Sequence, residues 1–165
     1  MDTKVVQQIY KLASSGLCSN LNGQIMCDLM LAPPKKGDAS YESFRAEYDG
    51  IYNGLKRKSQ MLYKALNAID GITCQPLAGA MYAFPNIDIP AKAIAEAKKQ
   101  GMTPDGLYAL SLLEETGICG IPGSGFGQRE GTYHMRITFL PEEAALKAAL
   151  ASLEKHHKMF VAKYA

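Results

Sequence analysis

The sequence predicts an α/β protein: a helical first part, followed by an α+β domain of short strands set among helices. Three observations point there. Apolar residues recur at helical spacing up to residue 69. After Asp70-Gly71 the texture shortens into β-like runs. Near the end, "TYHMRITFL" at 132–140 alternates strictly, with Tyr133, Met135, Ile137 and Phe139 on one face and His134, Arg136 and Thr138 on the other.

Val5, Ile9 and Leu12, with Val6 and Ala13 beside them, predict a first helix that Gly16 would stop. A second helix is expected over 22–31. "APPKKGDAS" at 32–40 is a loop, because two prolines and a glycine cannot continue a helix. From Tyr41 a long helix runs to about Ile69, with Phe44, Tyr48, Ile51, Leu55, Leu62, Leu66 and Ile69 on one stripe. Gly50 and Gly54 lie inside it at a cost of about 1 kcal/mol each relative to alanine, which leaves close packing and a bend both open.

"ITC" at 72–74 and "MYAFPNI" at 81–87 are predicted strands. "PAKAIAEAKKQ" at 90–100 is helical, with proline suited to the first turn. "TPDGLYALSLLEETG" at 103–117 is another helix, with Thr103 as N-cap and Gly117 as stop. "ICGIP" at 118–122 is a short strand. A final helix opens at Pro141-Glu142-Glu143, where acids favour a helix N-terminus, and its stripe is Leu146, Leu150, Leu153, Phe160 and Tyr164. A domain boundary near 60–71 follows, with no internal repeat and no low-complexity segment.

The 165 residues are enough for one domain, or one and a part. A formal net charge of +2 gives no reason to expect nucleic acid or an anionic membrane as partner. The basic clusters Lys56-Arg57-Lys58 and Lys98-Lys99 read as solvated helix faces. Cys18, Cys27, Cys74 and Cys119 make no C-x-x-C spacing, which with three histidines speaks against a zinc site. They read as reduced core residues of an intracellular protein. No run is apolar and long enough for a membrane span. Met1-Asp2-Thr3-Lys4 leads into a helical pattern rather than a signal peptide.

Gly123, Gly125, Gly127 and Gly131 crowd one loop. A dinucleotide fingerprint would need G-x-G-x-x-G between a strand and a helix. Here the third glycine is misplaced and a strand follows, so no helix N-terminus waits for a phosphate. The nucleophile elbow also fails, because Pro122 stands at its first glycine. A tight turn joining strands is the better reading. Ser152-Leu153-Glu154-Lys155 matches S-x-x-K only literally, without its companion motifs. His156 and His157 point about 100° apart on a helix, chelate poorly, and read as surface histidines. His134 shares its face with Arg136 and reads as a satisfied core or interface histidine. Arg136 cannot be left unpaired if buried. Spacing alone leaves two partners open: an internal carboxylate or a ligand carboxylate, either gripped by the guanidinium fork.

"VVQQIYKLASSGLCSNLNGQ", "GAMYAFPNI" and "LLEETGICGIPGSGFGQREGTYHMRITFLP" together resemble the C-terminal portion of the alanine aminotransferases, within the class I/II pyridoxal-phosphate aminotransferase family. The resemblance runs from Lys4 to Phe160, and P-G-S-G-F-G-Q-x-E-G before H-x-R-x-T is its specific part. It implies the C-terminal part of a fold-type I transferase. Residues 1–60 would be the last helices of the large cofactor domain and the start of a long connecting helix. Residues 61–165 would be the small domain. It implies that Arg136 grips the substrate α-carboxylate, that Gly79 lines the substrate entrance, and that Asn20 lies near a dimer interface. The match at Asn20 is looser, since Ser19 and Asn22 stand where the family often has prolines.

The family's Schiff-base lysine sits in a serine-rich S-x-S-K-type motif, which this sequence lacks. Lys4, Lys11, Lys56 and Lys147 lie on polar helix faces or in loops. The pyridine-nitrogen aspartate, the ring-stacking aromatic and the phosphate cup are missing too. The resemblance therefore implies a piece of a longer homodimeric enzyme, with Met1 as an internal start. Pyridoxal 5'-phosphate would bind the parent and not this piece alone. Amino-acid and 2-oxo-acid substrates are the implied ligands, and the cytoplasm or the mitochondrion the compartment. The alternatives are a non-catalytic binding or dimerisation module of the same fold, or a related transaminase using glyoxylate or aromatic substrates.

Overall fold

The computed structural model describes residues 2–165; Met1, and with it the reading of an internal start, lies outside the described residues. The chain divides into two compact units, 1–49 and 50–165.

In the first unit, α1 (Thr3–Ala13) and α2 (Leu21–Leu31) precede the opening turns of α3 (Tyr41–Asn67). Asp2 caps α1 by accepting the Lys4 N–H at 2.8 Å. The helix ends before Gly16, because the Ser14 and Ser15 hydroxyls bond the carbonyls of Lys11 and Leu12 and so complete its last turn. Asn20 caps α2 by accepting the Gly23 N–H at 3.0 Å, so α2 starts one residue earlier than its apolar pattern. Neither helix buries a residue within this chain.

The second unit holds the core. Along α3 the predicted stripe is buried at Leu62 and Leu66, and continues to Ile69 beyond the helix, while Ile51 stays 67% exposed. Periodicity marks a face, and only a packing partner buries it. A Cβ at Gly50 would meet nothing within 4 Å, so close packing at that glycine finds no neighbour among the described residues.

Five short strands follow: β1 (Ile72–Thr73), β2 (Tyr82–Ala83), β3 (Asn86–Ile87), β4 (Ile121–Pro122) and β5 (Met135–Thr138). They form two antiparallel ladders, β1-β3 and β2-β5-β4, with β5 central in the second. The predicted strand at 81–87 is thus two strands in two ladders. Pro85 separates them; it has no N–H to give a ladder, and its carbonyl accepts the Met135 N–H at 3.2 Å. The runs at 118–122 and 132–140 also shorten, to β4 and β5, with His134 adding an isolated bridge to Asn86.

Helices α4 (Ala91–Lys99), α5 (Pro104–Thr116) and α6 (Glu143–Tyr164) complete the unit. Thr103 accepts the Gly106 N–H at 3.2 Å, and Gly117 ends α5 in the left-handed region at φ 74°, both as their residue types predict. Ala93, Tyr108, Leu112, Leu146, Leu153 and Phe160 pack into one cluster with Leu66. Each large side chain buried there contributes about 1.5–3 kcal/mol of hydrophobic stabilisation.

Two sequence expectations are corrected. His156 and His157 are not surface residues but 1% and 2% exposed. The buried arc of α6 is wide enough to take both, because α5 offers each a polar partner. Ser111 Oγ lies 2.9 Å from His156 Nε2, and Tyr108 Oη lies 3.1 Å from His157 Nδ1. Burial holds both histidines below the ordinary imidazole range. The cysteines are not all core residues either: Cys74 is buried, whereas Cys18, Cys27 and Cys119 are exposed. Apolar neighbours in sequence do not guarantee apolar neighbours in space.

Candidate functional site: an arginine between two aromatic rings

The β2-β5-β4 ladder buries one face and opens the other. Strand alternation turns Met135 and Ala83 into the core, each 1% exposed. The same alternation puts His134, Arg136 and Thr138 on the opposite face. Tyr82 pairs with Thr138 and Ile121 with Arg136 across the ladder, and both partners stay exposed.

Arg136 is held by aromatic rings. Its guanidinium carbon lies 4.5 Å from the Phe126 ring centre and 4.9 Å from that of Tyr82. Both are within cation–π range. Among the described residues the ion pairs are Arg45–Asp49, Arg57–Glu143, Lys99–Glu96 and Lys158–Glu154, and Arg136 belongs to none of them. The internal carboxylate that spacing left open is therefore not found here. Both rings lie against the guanidinium, and its N–H groups are the part a carboxylate would use.

Phe126 comes from the glycine loop. Gly123–Phe126 form one 3₁₀ turn, and Gly127 follows in the left-handed region at φ 70°. Gly123 has to be glycine: a Cβ there would stand 2.3 Å from Gln128 Oε1 and 2.8 Å from His134 Cβ. The loop thus lies directly against the chain that enters the Arg136 strand, as a turn between strands. Beneath it, buried Asp105 accepts the Ser124 N–H at 2.6 Å and the Gln128 amide at 3.0 Å. Burial raises the Asp105 pKa, but the hydrogen bonds from Ser124 and Thr103 outweigh it, so the carboxyl stays below its ordinary range. Gln128 Oε1 accepts the His134 N–H at 2.9 Å, and the His134 ring stacks on Phe84 at 4.8 Å. His134 is the satisfied histidine its pattern suggested.

Gly79 lines a shallow cleft with Tyr52, Leu55, Ser59 and Leu77, and Arg136 is not among the lining residues. Asn20 is the exposed cap of α2 in the first unit. Sequence reasoning missed Asp105, Gln128, Tyr82 and Phe126. Asp105 looked like any acid in a helix first turn. The two aromatics looked like ordinary strand and loop residues.

The residues present do not fit the covalent anchor of pyridoxal phosphate. A Schiff-base lysine works from a desolvated pocket. The lysines here are exposed, apart from half-buried Lys58, which donates to the Leu140 carbonyl at 2.8 Å.

No family model matches the chain. It is 49% identical over 160 residues to a probable mitochondrial alanine aminotransferase of Dictyostelium discoideum, covering 97% of this chain and 30% of that protein. It is 44% identical over 164 residues to human alanine aminotransferase 1, covering 99% and 33%. Among solved structures, an alanine aminotransferase from Pyrococcus furiosus matches 95% of this chain and 35% of its own, with a TM-score of 0.68 and 29% identity. An aspartate aminotransferase from Rhizobium meliloti matches 79% of the chain with a TM-score of 0.57 and 27% identity. The chain thus spans about a third of the length of the relatives it matches. With near-half identity across almost all of its residues, this segment is similar to about a third of proteins named alanine aminotransferase, and it has the fold of fold-type I aminotransferases.

Proposed function

We propose that this chain is the C-terminal region of an enzyme that exchanges an amino group between alanine and 2-oxoglutarate, giving pyruvate and glutamate, and that Arg136 binds the α-carboxylate shared by all four. The observation that carries this reading is the guanidinium set between Tyr82 and Phe126 with no carboxylate partner among the described residues. One arginine then serves both half-reactions, because amino-acid and 2-oxo-acid substrates present the same planar anion. Gly79 would line the substrate entrance, and Asn20 would lie near a subunit interface of a homodimeric parent. Residues 1–60 would complete the large cofactor domain and begin the connecting helix, and residues 61–165 would form the small domain. The cofactor chemistry belongs to the rest of the parent, since no lysine here suits the anchor. The compartment is the cytoplasm in this reading, with the mitochondrial name of the Dictyostelium relative favouring the alternative.

The test is Arg136→Ala and Arg136→Lys in the intact enzyme that carries this segment. Alanine should weaken carboxylate binding by about 2–4 kcal/mol, and lysine should recover only part, because a point ammonium lacks the fork. The 165-residue chain alone should give no stoichiometric lysine adduct with pyridoxal phosphate on borohydride trapping. Unchanged KM for L-alanine and 2-oxoglutarate in Arg136→Ala would refute the carboxylate role. A single adduct with pyruvate formation by the isolated chain would refute the partial site. A parent that folds, dimerises and shows no transamination would establish a non-catalytic module instead, and preference for glyoxylate or aromatic substrates would establish a related transaminase.

A further inference from the structure

Asp105 sits in the first turn of α5 and is 1% exposed. A carboxylate buried there is costly unless donors reach it. Two donors meet the same oxygen, Oδ2: the Ser124 N–H at 2.6 Å and Gln128 Nε2 at 3.0 Å. The first bond pins the 3₁₀ turn whose last residue is Phe126. The second fixes which way the Gln128 amide faces. With Nε2 on the carboxylate, Oε1 must turn to His134, where it accepts the backbone N–H at 2.9 Å and meets Nδ1 at 3.1 Å. A carbonyl oxygen only accepts, so Nδ1 carries the ring hydrogen.

The consequence reaches Arg136 by two routes. His134, so oriented, lies parallel to Phe84 at 4.8 Å and 4°. Phe84 meets Phe126 edge-on at 5.9 Å, and Phe126 covers the guanidinium. The Ser124 bond reaches Phe126 directly through the turn. We infer that Asp105 and Gln128 are positioning residues for carboxylate binding: through the turn and His134 they set the aromatic clamp that holds the Arg136 fork in one orientation. This rests on the reading of Arg136 as the carboxylate ligand. An arginine on an open sheet face has many rotamers, and a two-point contact uses one.

The experiment compares Asp105→Ala, Asp105→Asn, Gln128→Ala and Arg136→Ala in the intact enzyme. It reads KM and kcat with L-alanine and 2-oxoglutarate, together with the Kd of propionate, a carboxylate without an amino group. Asp105→Ala and Gln128→Ala should raise KM and the propionate Kd roughly tenfold, the scale of a misplaced binding group. They should leave kcat within about twofold, because the lost contact is one that ground state and transition state share. Asp105→Asn should restore binding, since its amide oxygen still accepts from Ser124 and Gln128. A merely structural role would instead lower the active fraction, and with it kcat, at unchanged KM. If Asp105→Ala does not fold, Gln128→Ala decides. If Arg136→Ala raises KM and neither clamp variant does, the inference is overturned while the site reading stands. If Arg136→Ala itself leaves KM unchanged, the site reading falls and the inference with it.

Discussion

Removing one oxygen, by Tyr108→Phe, should destabilise the chain by about 1–2 kcal/mol, near the lower end for a buried polar group left without its partner. His157 Nε2 lies 2.9 Å from the Asp70 carbonyl, which can only accept, so Nε2 holds the hydrogen. The neutral ring then has its lone pair on Nδ1, and the Tyr108 hydroxyl donates to it at 3.1 Å. Tyr108 is 0% exposed and His157 is 2% exposed, so water cannot replace the hydroxyl without repacking. The variant leaves the Nδ1 acceptor dry. Part of that cost is offset because phenylalanine has no hydroxyl of its own to desolvate. The assay is thermal unfolding of the chain followed by circular dichroism at pH 7.5. A fall in Tm of roughly 3–8 °C is expected at this domain size. In a cycle with His157→Phe, the penalty of Tyr108→Phe should vanish, because the acceptor it strands is gone. An unchanged or higher Tm in the single variant, or the same penalty in both backgrounds, would show that the bond is not what holds this pair.

Acid should act on the same cluster. Burial lowers the folded pKa of His156 and His157 below their ordinary value of 6.5, so the unfolded chain takes up protons first. The resulting stability is present above that value and lost as pH falls through the window beneath it. Asp105, also lowered, adds stability that is present above 3.8 and lost as pH falls further. Tm measured from pH 8 to pH 5 should therefore decline, and a flat profile would contradict neutral buried imidazoles. Gly71→Ala should cost about 1–3 kcal/mol in chemical denaturation, because φ is +80° and a Cβ would stand 3.1 Å from His157 Nε2; a loss within experimental error would count against the strain. Amide hydrogens of α1 and α2 should exchange much faster than those of α5 and α6, since neither early helix buries a residue in this chain. Equal protection across both regions would mean that the early helices find partners, for instance in a second copy.

Local chemistry made several parts of this molecule legible. Thr103 and Gly117 bracket α5 because a hydroxyl cap and a left-handed glycine act within a few residues of themselves. The two faces of β5 follow from its alternation alone, which put Arg136 opposite the buried Met135 side before any fold was known. The family signature around the glycine loop was equally readable. Pairing and burial were not, because they join residues far apart in the chain. Asp105 meets Ser124 across 19 positions, and Tyr108 meets His157 across 49. Those distances turned two apparent surface histidines into core residues. Pro85, which can give no N–H to a ladder, split one predicted strand between two. Ile51 shows the limit from the other side: its place on the α3 stripe is written in the sequence, yet it stays exposed, because burial needs a partner surface and helical periodicity supplies only the face.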